Sequence, residues 1–215
     1  MSLGYGFNLH PIYSSHLGST QILPGSSTAA NFSLIPTANI VFSGSGSTRG
    51  AIITPAANLS GTTSLTFSVS DGAASVSRRF NVIVLSQSQT WRQQNFGANW
   101  NNDAIAGDNA NPCGDGISNL LKRAFGGNPN IADQSILPAV DNTAPILSIT
   151  YRKAKAATDL VYTVQESPDL SPNSWTTSTG TNTLLSDDGT VQVIRFTASG
   201  GTSTKKFLHV QVTKP

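Results

Sequence analysis

The stretch Ser64-Leu-Thr-Phe-Ser-Val-Ser70 alternates strictly between polar and apolar residues. Because successive side chains of a strand point to opposite faces, this period of two predicts a half-buried β-strand. The Asp71-Gly72 pair that follows predicts a tight hairpin turn. The return strand keeps the period and carries on one face Val76, Phe80, Val82 and Val84. This hairpin indicates a mainly β fold.

Arg78 falls on the inward face of the return strand, where an apolar residue is expected. Two interpretations are structural: a β-bulge that shifts the alternation, or an edge position from which the long side chain reaches water. The third is a buried arginine with a functional role.

Further short strands are predicted on both sides of this hairpin. Two apolar runs precede it, Ile40-Val-Phe42 and Ala51-Ile-Ile-Thr54. Five strands are predicted after it: Ile146–Arg152, Leu160–Glu166, Ser174–Thr177, Thr190–Thr197 and Lys206–Val212. Short strands at close spacing predict β-sandwiches. We therefore expect two β-sandwich domains, at residues 1–86 and 140–215, joined across residues 87–139 by a loop and one short helix.

Composition excludes several classes of function. Charged residues make up 11% of the 215 residues, against about 25% in a typical soluble domain, and the net charge of +2 is too small to indicate nucleic-acid binding. The single cysteine excludes an internal disulfide. No run of about 20 apolar residues predicts a membrane span. The chain opens with no signal segment, so we expect it to start inside a longer exported protein.

The segment Asn111-Pro-Cys-Gly-Asp-Gly-Ile-Ser-Asn-Leu-Leu-Lys122 has the frame of a calcium-binding loop. Such a loop has oxygen ligands at positions 1, 3, 5 and 9, a backbone carbonyl at 7, glycine at 6 and a bidentate glutamate at 12. Position 3 is Cys113, a soft ligand, and position 12 is Lys122, which cannot coordinate a cation. With the nearby Asp108, the remaining candidate ligands are Asp108, Asn111, Asp115, the carbonyl of Ile117, and Asn119.

Asp115 is the only carboxylate left inside this loop. Because calcium affinity follows ligand charge, the sequence predicts a loop that binds no metal or binds calcium weakly, and no cofactor. Two arrangements are open for Lys122: an ammonium beside Asp115 in place of the ion, or a solvated side chain. We expect the solvated side chain.

A short helix is predicted directly after the loop. Its apolar face consists of Ile117, Leu120, Leu121, Ala124 and Phe125, which recur at helical spacing. Lys122 and Arg123 are basic residues that favour the carboxyl end of a helix, and Gly126-Gly127 predicts its termination.

Residues 30–86 carry a family resemblance. The pattern Thr-Pro-Ala-Ala-Asn-x-Ser-Gly-Thr from Thr54, followed by Val69-Ser-Asp-Gly72, resembles the bacterial immunoglobulin-like or cadherin-like modules of large exported proteins. Residues 5–30 match that pattern poorly, so the first strands of the module are expected to be incomplete or irregular.

Residues 91–215 resemble a carboxyl-terminal region of large exported bacterial proteins. The residues that carry this resemblance are Trp91, Phe96-Gly97, the Gly107–Leu121 stretch, and Tyr162–Leu170 with Trp175. In such proteins a thrombospondin type-3-like or dockerin-like loop, usually Asp-Pro-Asp-Gly-Asp-Gly-Leu-x-Asn-x-x-Glu, precedes a terminal β-domain. The resemblance implies an extracellular or cell-surface bacterial location, and a loop that staples the helix to the following β-domain.

Catalytic patterns do not stand out. His10, His16 and His209 are scattered, and His209 is predicted to face outward from its strand. Cys113 has no histidine near it in the sequence, and Glu166 and Asp169 are interpreted as turn residues. We therefore predict that the chain is not an enzyme.

The three tryptophans have two interpretations. Trp91, Trp100 and Trp175 could stack on sugar rings, or they could pack in cores and between domains. The expected function is a non-catalytic structural, adhesion or anchoring module of a secreted or cell-surface bacterial protein. Its expected partners are other modules of the same polypeptide, and glycans or other cell-surface components. One alternative is a carbohydrate-binding module, and another is a degraded accessory domain of an enzyme.

Overall fold

The chain forms two compact units, Met1–Ser86 and Gln87–Pro215. The structure is a computed structural model, and it describes residues 5–8, 21–23, 31–43, 50–70, 75–143, 146–199 and 206–215. The prediction of a mainly β fold is confirmed. The predicted Asp71-Gly72 turn, His10 and His16 lie outside the described residues.

The described residues of the first unit form two three-stranded antiparallel sheets. The described strands are β1 (Tyr5–Asn8), β2 (Gln21–Leu23), β3 (Ile40–Ser43), β4 (Gly50–Ile53), β5 (Gly61–Ser70) and β6 (Ser75–Val84). One sheet has the order β1-β4-β3 and the other the order β2-β5-β6. The 3-10 turn Thr37–Asn39 directly precedes β3.

The core of the first unit lies between these sheets. Ala51 and Ile53 of β4 share one buried cluster with Leu65 and Phe67 of β5, and β4 and β5 belong to different sheets. The two sheets therefore pack face to face as a sandwich. The alternation in β5 predicted which of its side chains enter this core.

Arg78 is exposed, so the interpretation as a buried functional arginine was wrong. The pairing of β5 with β6 continues through Arg78 and Phe67 without a shift in register, so no bulge lies there either. β6 is an edge strand of its sheet, and an edge position allows the guanidinium to reach water. Val76 is also exposed, so the apolar face of β6 begins only at Phe80.

In the part of the second unit that the structure describes, three short helices accompany two antiparallel sheets. Its helices are α1 (Gln87–Phe96), α2 (Asp103–Ala106) and α3 (Asn119–Phe125). Its strands are β7 (Ala139–Asp141), β8 (Ser148–Ala154), β9 (Val161–Ser167), β10 (Thr176–Thr177), β11 (Gly180–Asp187), β12 (Val191–Ala198) and β13 (Phe207–Thr213). The sheet orders are β11-β12-β8-β7 and β10-β9-β13, and 3-10 turns occur at Gly97–Asn99 and Gln134–Ile136.

The five strands predicted for this unit are present, with bounds that differ by at most two residues. α1, α2, β7 and β11 were not predicted. Every residue of β11 is exposed, because this edge strand pairs only with β12 and buries neither face.

The second unit has two buried clusters. One lies between its sheets and joins Ile149 and Phe196 of one sheet to Val164 and Leu208 of the other. The second lies under α3 and joins the helix to the turn after β8 and to β9 and β13; its buried members are Ile117, Ala124, Phe125, Ile136, Ala157 and Leu160. The loop and α3 therefore fold as part of the same unit as the C-terminal strands.

Candidate functional site

The candidate site is the loop–helix segment, residues 107–134, which contains the calcium-type loop and α3. α3 begins after Ser118, whose hydroxyl oxygen accepts from the Leu121 N–H at 3.5 Å. It ends at Gly126, which has a left-handed backbone with φ of 70°. A Cβ on Gly126 would lie 2.5 Å from Cγ2 of Val191, so the end of the helix packs tightly against β12.

Side chains from both sheets of the second unit satisfy the last carbonyls of α3. The Tyr162 hydroxyl donates to the Ala124 carbonyl at 2.7 Å, and Arg152 Nε donates to the Phe125 carbonyl at 2.9 Å. These carbonyls have no partner within a helix of this length. Burial raises the pKa of Tyr162 to about 12, so the hydroxyl keeps the proton that it donates.

Lys122 is completely buried, so the expectation of a solvated Lys122 was wrong. Its Nζ lies 2.5 Å from Oδ2 of Asp115 and donates to the Ile131 carbonyl at 2.8 Å. The lysine therefore joins α3 both to the loop that precedes the helix and to the segment that follows it.

Asp115 accepts hydrogen bonds from both directions along the chain. Its Oδ1 accepts from the Ile117 N–H at 2.9 Å, and its Oδ2 accepts from the Asp133 N–H at 3.1 Å. The hydrogen bond from Lys122, together with these backbone donors, holds the pKa of the Asp115 carboxyl well below its usual range. The Gln134 side chain also donates to the Asp115 carbonyl at 2.7 Å.

Asn119 is buried at the start of α3 and uses its amide nitrogen inside the protein. Nδ2 donates to the Ile105 carbonyl at 2.8 Å and to the Gly107 carbonyl at 2.9 Å. Its Oδ1 is buried and has no hydrogen-bond partner among the described residues. Asn119 therefore fixes the α2 end against α3, and a single neutral oxygen remains unused.

The Asp108 side chain forms ion pairs with residues outside the loop. Arg92 of α1 bridges Asp108 at 3.0 Å and Asp103 at 2.9 Å. Lys214 lies 3.9 Å from the other oxygen of Asp108. This carboxylate therefore holds α1 against the loop.

Asn111 and Ile117 are the remaining candidate ligands, and both make contacts that stabilise the loop. The Asn111 carbonyl accepts from the Gly114 N–H at 3.2 Å, which closes a turn, and Cys113 Sγ lies 3.7 Å from the Asn111 side-chain oxygen. The Ile117 side chain enters the core under α3. Among the described residues, no three His, Cys, Asp or Glu side chains are grouped so that they could hold a metal ion.

The tryptophans are half-buried and have different neighbours. Trp91 packs edge to face with Phe96 within α1, at 5.8 Å between ring centroids. Trp100 follows the 3-10 turn at Gly97–Asn99. Trp175 stacks on His209 of β13, with 3.9 Å between centroids and 13° between planes.

His209 and Trp175 lie on the outer face of the β10-β9-β13 sheet. His209 pairs in register with Gln165, and its Nε2 lies 2.9 Å from the Gln165 side-chain oxygen. Their strand neighbours Val164 and Leu208 enter the core, so the alternation turns Gln165 and His209 the other way. Partial burial lowers the pKa of His209. The alternation of β13 predicted the outward position, and nothing in the sequence indicated the contact with Trp175.

Glu166 is a strand residue, so its interpretation as a turn residue was wrong. Its Oε2 accepts from the Ser178 hydroxyl at 2.6 Å and its Oε1 pairs with Lys206 at 3.1 Å, and the bond from Ser178 contributes most to its lowered pKa. Asp169 does lie in a turn, where it accepts from the Ser171 N–H.

Comparison with known proteins gave no match among protein-family models, curated protein sequences or solved structures. Within the described ranges, no helix is both long enough and apolar enough to span a membrane.

Proposed function

We propose that this chain is a non-catalytic structural module of a secreted or cell-surface bacterial protein, where it contributes to adhesion or anchoring. One observation carries the proposal: the buried ion pair of Lys122 and Asp115 binds three segments of the chain to each other. Lys122 and Asp115 form their hydrogen bonds within the protein, so their role is to stabilise the fold.

The low charge content supports the same proposal. Only 11% of residues are charged, while serine, threonine, asparagine and glycine are abundant. Charged side chains of the loop–helix segment form ion pairs within the second unit: Asp108 pairs with Arg92 of α1, and Arg123 pairs with Asp159. This pattern is typical of a module whose surface is neutral and polar.

Labelling of intact cells tests the location. An antibody raised against the purified chain should stain intact cells of the source bacterium, or detect the chain in the culture medium. Protease treatment of intact cells should remove the cell-bound signal, while a cytoplasmic marker protein stays intact as the control. Signal that becomes accessible only after lysis would contradict the proposal.

The second candidate is carbohydrate binding at Trp175. Stacking on His209 holds the indole in a fixed orientation and covers one of its faces, so only the opposite face could receive a sugar ring. Gln165 lies beside this pair and could supply an amide for hydrogen bonds to hydroxyl groups. A flat aromatic ring with neighbouring amides is suited to a neutral polar ligand.

A glycan array separates the two candidates. The structural proposal predicts no saturable binding by the wild-type chain. Binding that Trp175→Ala abolishes and Trp91→Ala retains would favour the carbohydrate site, because Trp91 packs on Phe96 elsewhere in the unit. Circular dichroism of both variants would establish that the substitutions leave the fold intact.

A further inference from the structure

The charge at position 12 of the loop is reversed relative to a calcium-binding loop. Such a loop places a bidentate glutamate there, and the carboxylates of the loop surround a divalent cation. Lys122 occupies this position and brings its own positive charge to the one carboxylate inside the loop, Asp115, at 2.5 Å.

The buried ammonium is well supplied with partners. Burial of an unpaired charge is very costly, so a fully buried lysine requires a counter-charge and further acceptors. Lys122 has both, because Asp115 supplies the negative charge and the Ile131 carbonyl supplies a second acceptor at 2.8 Å. Asp115 is equally well supported by the backbone N–H groups of Ile117 and Asp133.

The residues present do not fit a calcium ion. The carboxylate of Asp115 is already neutralised, and that of Asp108 pairs with Arg92. Asn119 directs its amide nitrogen to two backbone carbonyls, and its unpartnered Oδ1 is one neutral oxygen. Calcium takes six to eight oxygen ligands, and its affinity rises with their negative charge.

We propose that the Lys122 ammonium replaces a calcium ion as the counter-charge of this loop, so that the loop–helix segment folds and remains closed without a divalent cation. The cation is covalently part of the chain, and its contacts reach Asp115 before α3 and Ile131 after it. Closure of the segment is therefore independent of the calcium concentration around the protein. This inference concerns folding and does not depend on where the protein resides.

Urea unfolding of the full chain tests the proposal. All three tryptophans belong to the second unit, so their fluorescence reports on the unit that contains the loop. The wild-type midpoint should be the same in millimolar calcium and in excess chelator. Lys122→Met, which keeps an unbranched side chain out to Cε and removes the charged ammonium, should lower the midpoint by about 1–3 M urea, because it leaves Asp115 buried without a counter-charge.

A double-mutant cycle provides the control for lost packing. The variant Asp115→Asn/Lys122→Met removes both charges, so its midpoint should be higher than the sum of the two single effects predicts. If Lys122→Met fails to fold, Asp115→Asn alone still tests the pair, because it leaves the ammonium buried without a counter-charge and should lower the midpoint. A wild-type midpoint that rises with calcium would overturn the proposal, and so would strictly additive effects in the cycle.

Discussion

Replacement of Gly126 by alanine tests whether the end of α3 packs tightly against β12. The backbone of Gly126 has φ of 70°, and a Cβ there would lie 2.5 Å from Cγ2 of Val191. The left-handed conformation costs an alanine about 1–2 kcal/mol. Displacement of a packed side chain in a core adds about 1–3 kcal/mol. We therefore expect Gly126→Ala to lower the free energy of unfolding by about 2–5 kcal/mol.

Gly114 is a matched control for the same substitution. Its φ is 73°, and apart from Gly114 and its two chain neighbours no atom of the described residues lies within 4 Å of the position that a Cβ would take. Gly114→Ala should therefore cost about 1–2 kcal/mol, from the backbone alone. The difference between these two variants measures the contact with Val191.

Urea unfolding followed by tryptophan fluorescence is the assay, because the tryptophans lie in the unit that contains both glycines. Val191→Ala shortens the side chain that the new methyl group would meet. The double variant Gly126→Ala/Val191→Ala should therefore be more stable than additivity predicts, by about 1–3 kcal/mol. Equal costs for Gly126→Ala and Gly114→Ala, or strict additivity with Val191→Ala, would refute the reasoning.

Three further predictions concern single side chains. Asn119→Ala should lower the free energy of unfolding by about 2–4 kcal/mol, because two buried carbonyls lose their donor; urea unfolding measures this change. Because the folded pKa of Asp115 lies below its unfolded value of about 3.9, the pair stabilises the protein above pH of about 4 and loses that effect as the pH falls; the urea midpoint of wild type should decline on acidification more steeply than that of Asp115→Asn. Trp175→Ala should raise the pKa of His209 towards its ordinary value, because burial lowers it; nuclear magnetic resonance titration of the imidazole measures the shift.

Each of these predictions has a control in the same unit. Asn109 is exposed in the same loop, so Asn109→Ala should change stability little, and an equal cost at both asparagines would contradict the role of Asn119. Parallel acid profiles for wild type and Asp115→Asn would contradict the role of that carboxylate. Trp91→Ala should leave the pKa of His209 unchanged, and an unchanged pKa in Trp175→Ala would show that another group buries the imidazole.

Local sequence signals predicted the parts of the fold whose physical causes are local. The period of α3 and the glycines after it are properties of a few neighbouring residues, and the structure contains the helix with Gly126 in the left-handed conformation. The same holds for β5, whose Leu65 and Phe67 enter the core as the alternation requires. In β5 the buried side chains follow the predicted pattern, whereas α3 buries Lys122 and Arg123 together with the predicted Ala124 and Phe125.

The elements that were not predicted are held by contacts with other elements of the second unit, and they carry no periodic apolar pattern of their own. α1 has no apolar face, and Arg92 within it is held by Asp103 and Asp108 of the following segment. β11 is exposed along its whole length and exists because β12 offers an edge to pair with. Neither cause can be read from the composition of the element.

The burial of Lys122 is a further feature that local sequence signals did not predict. The sequence has Lys122 at position 12, where a calcium-binding loop has a glutamate, and Asn111 and Cys113 at two other ligand positions. Lysine is almost never fully buried unless it is paired, which made a solvated Lys122 the reasonable expectation. Lys122 is buried because the folded chain places both Asp115 and the Ile131 carbonyl next to its ammonium. This arrangement depends on how the whole loop folds, which the sequence pattern does not specify.

The differences between this loop and a calcium-binding loop at the ligand positions are physically consistent with one another. A lysine at position 12 would repel a calcium ion held by several carboxylates, and loss of the carboxylates alone would leave too little negative charge to bind the ion. With one carboxylate and one ammonium the loop is electrically balanced by its own residues. A protein that exchanged an ion for an ammonium in this way would keep the closed loop and lose its dependence on the ion. The loop therefore differs from a calcium-binding loop in the source of its positive charge, while Gly116 keeps a left-handed backbone and a helix follows directly after it.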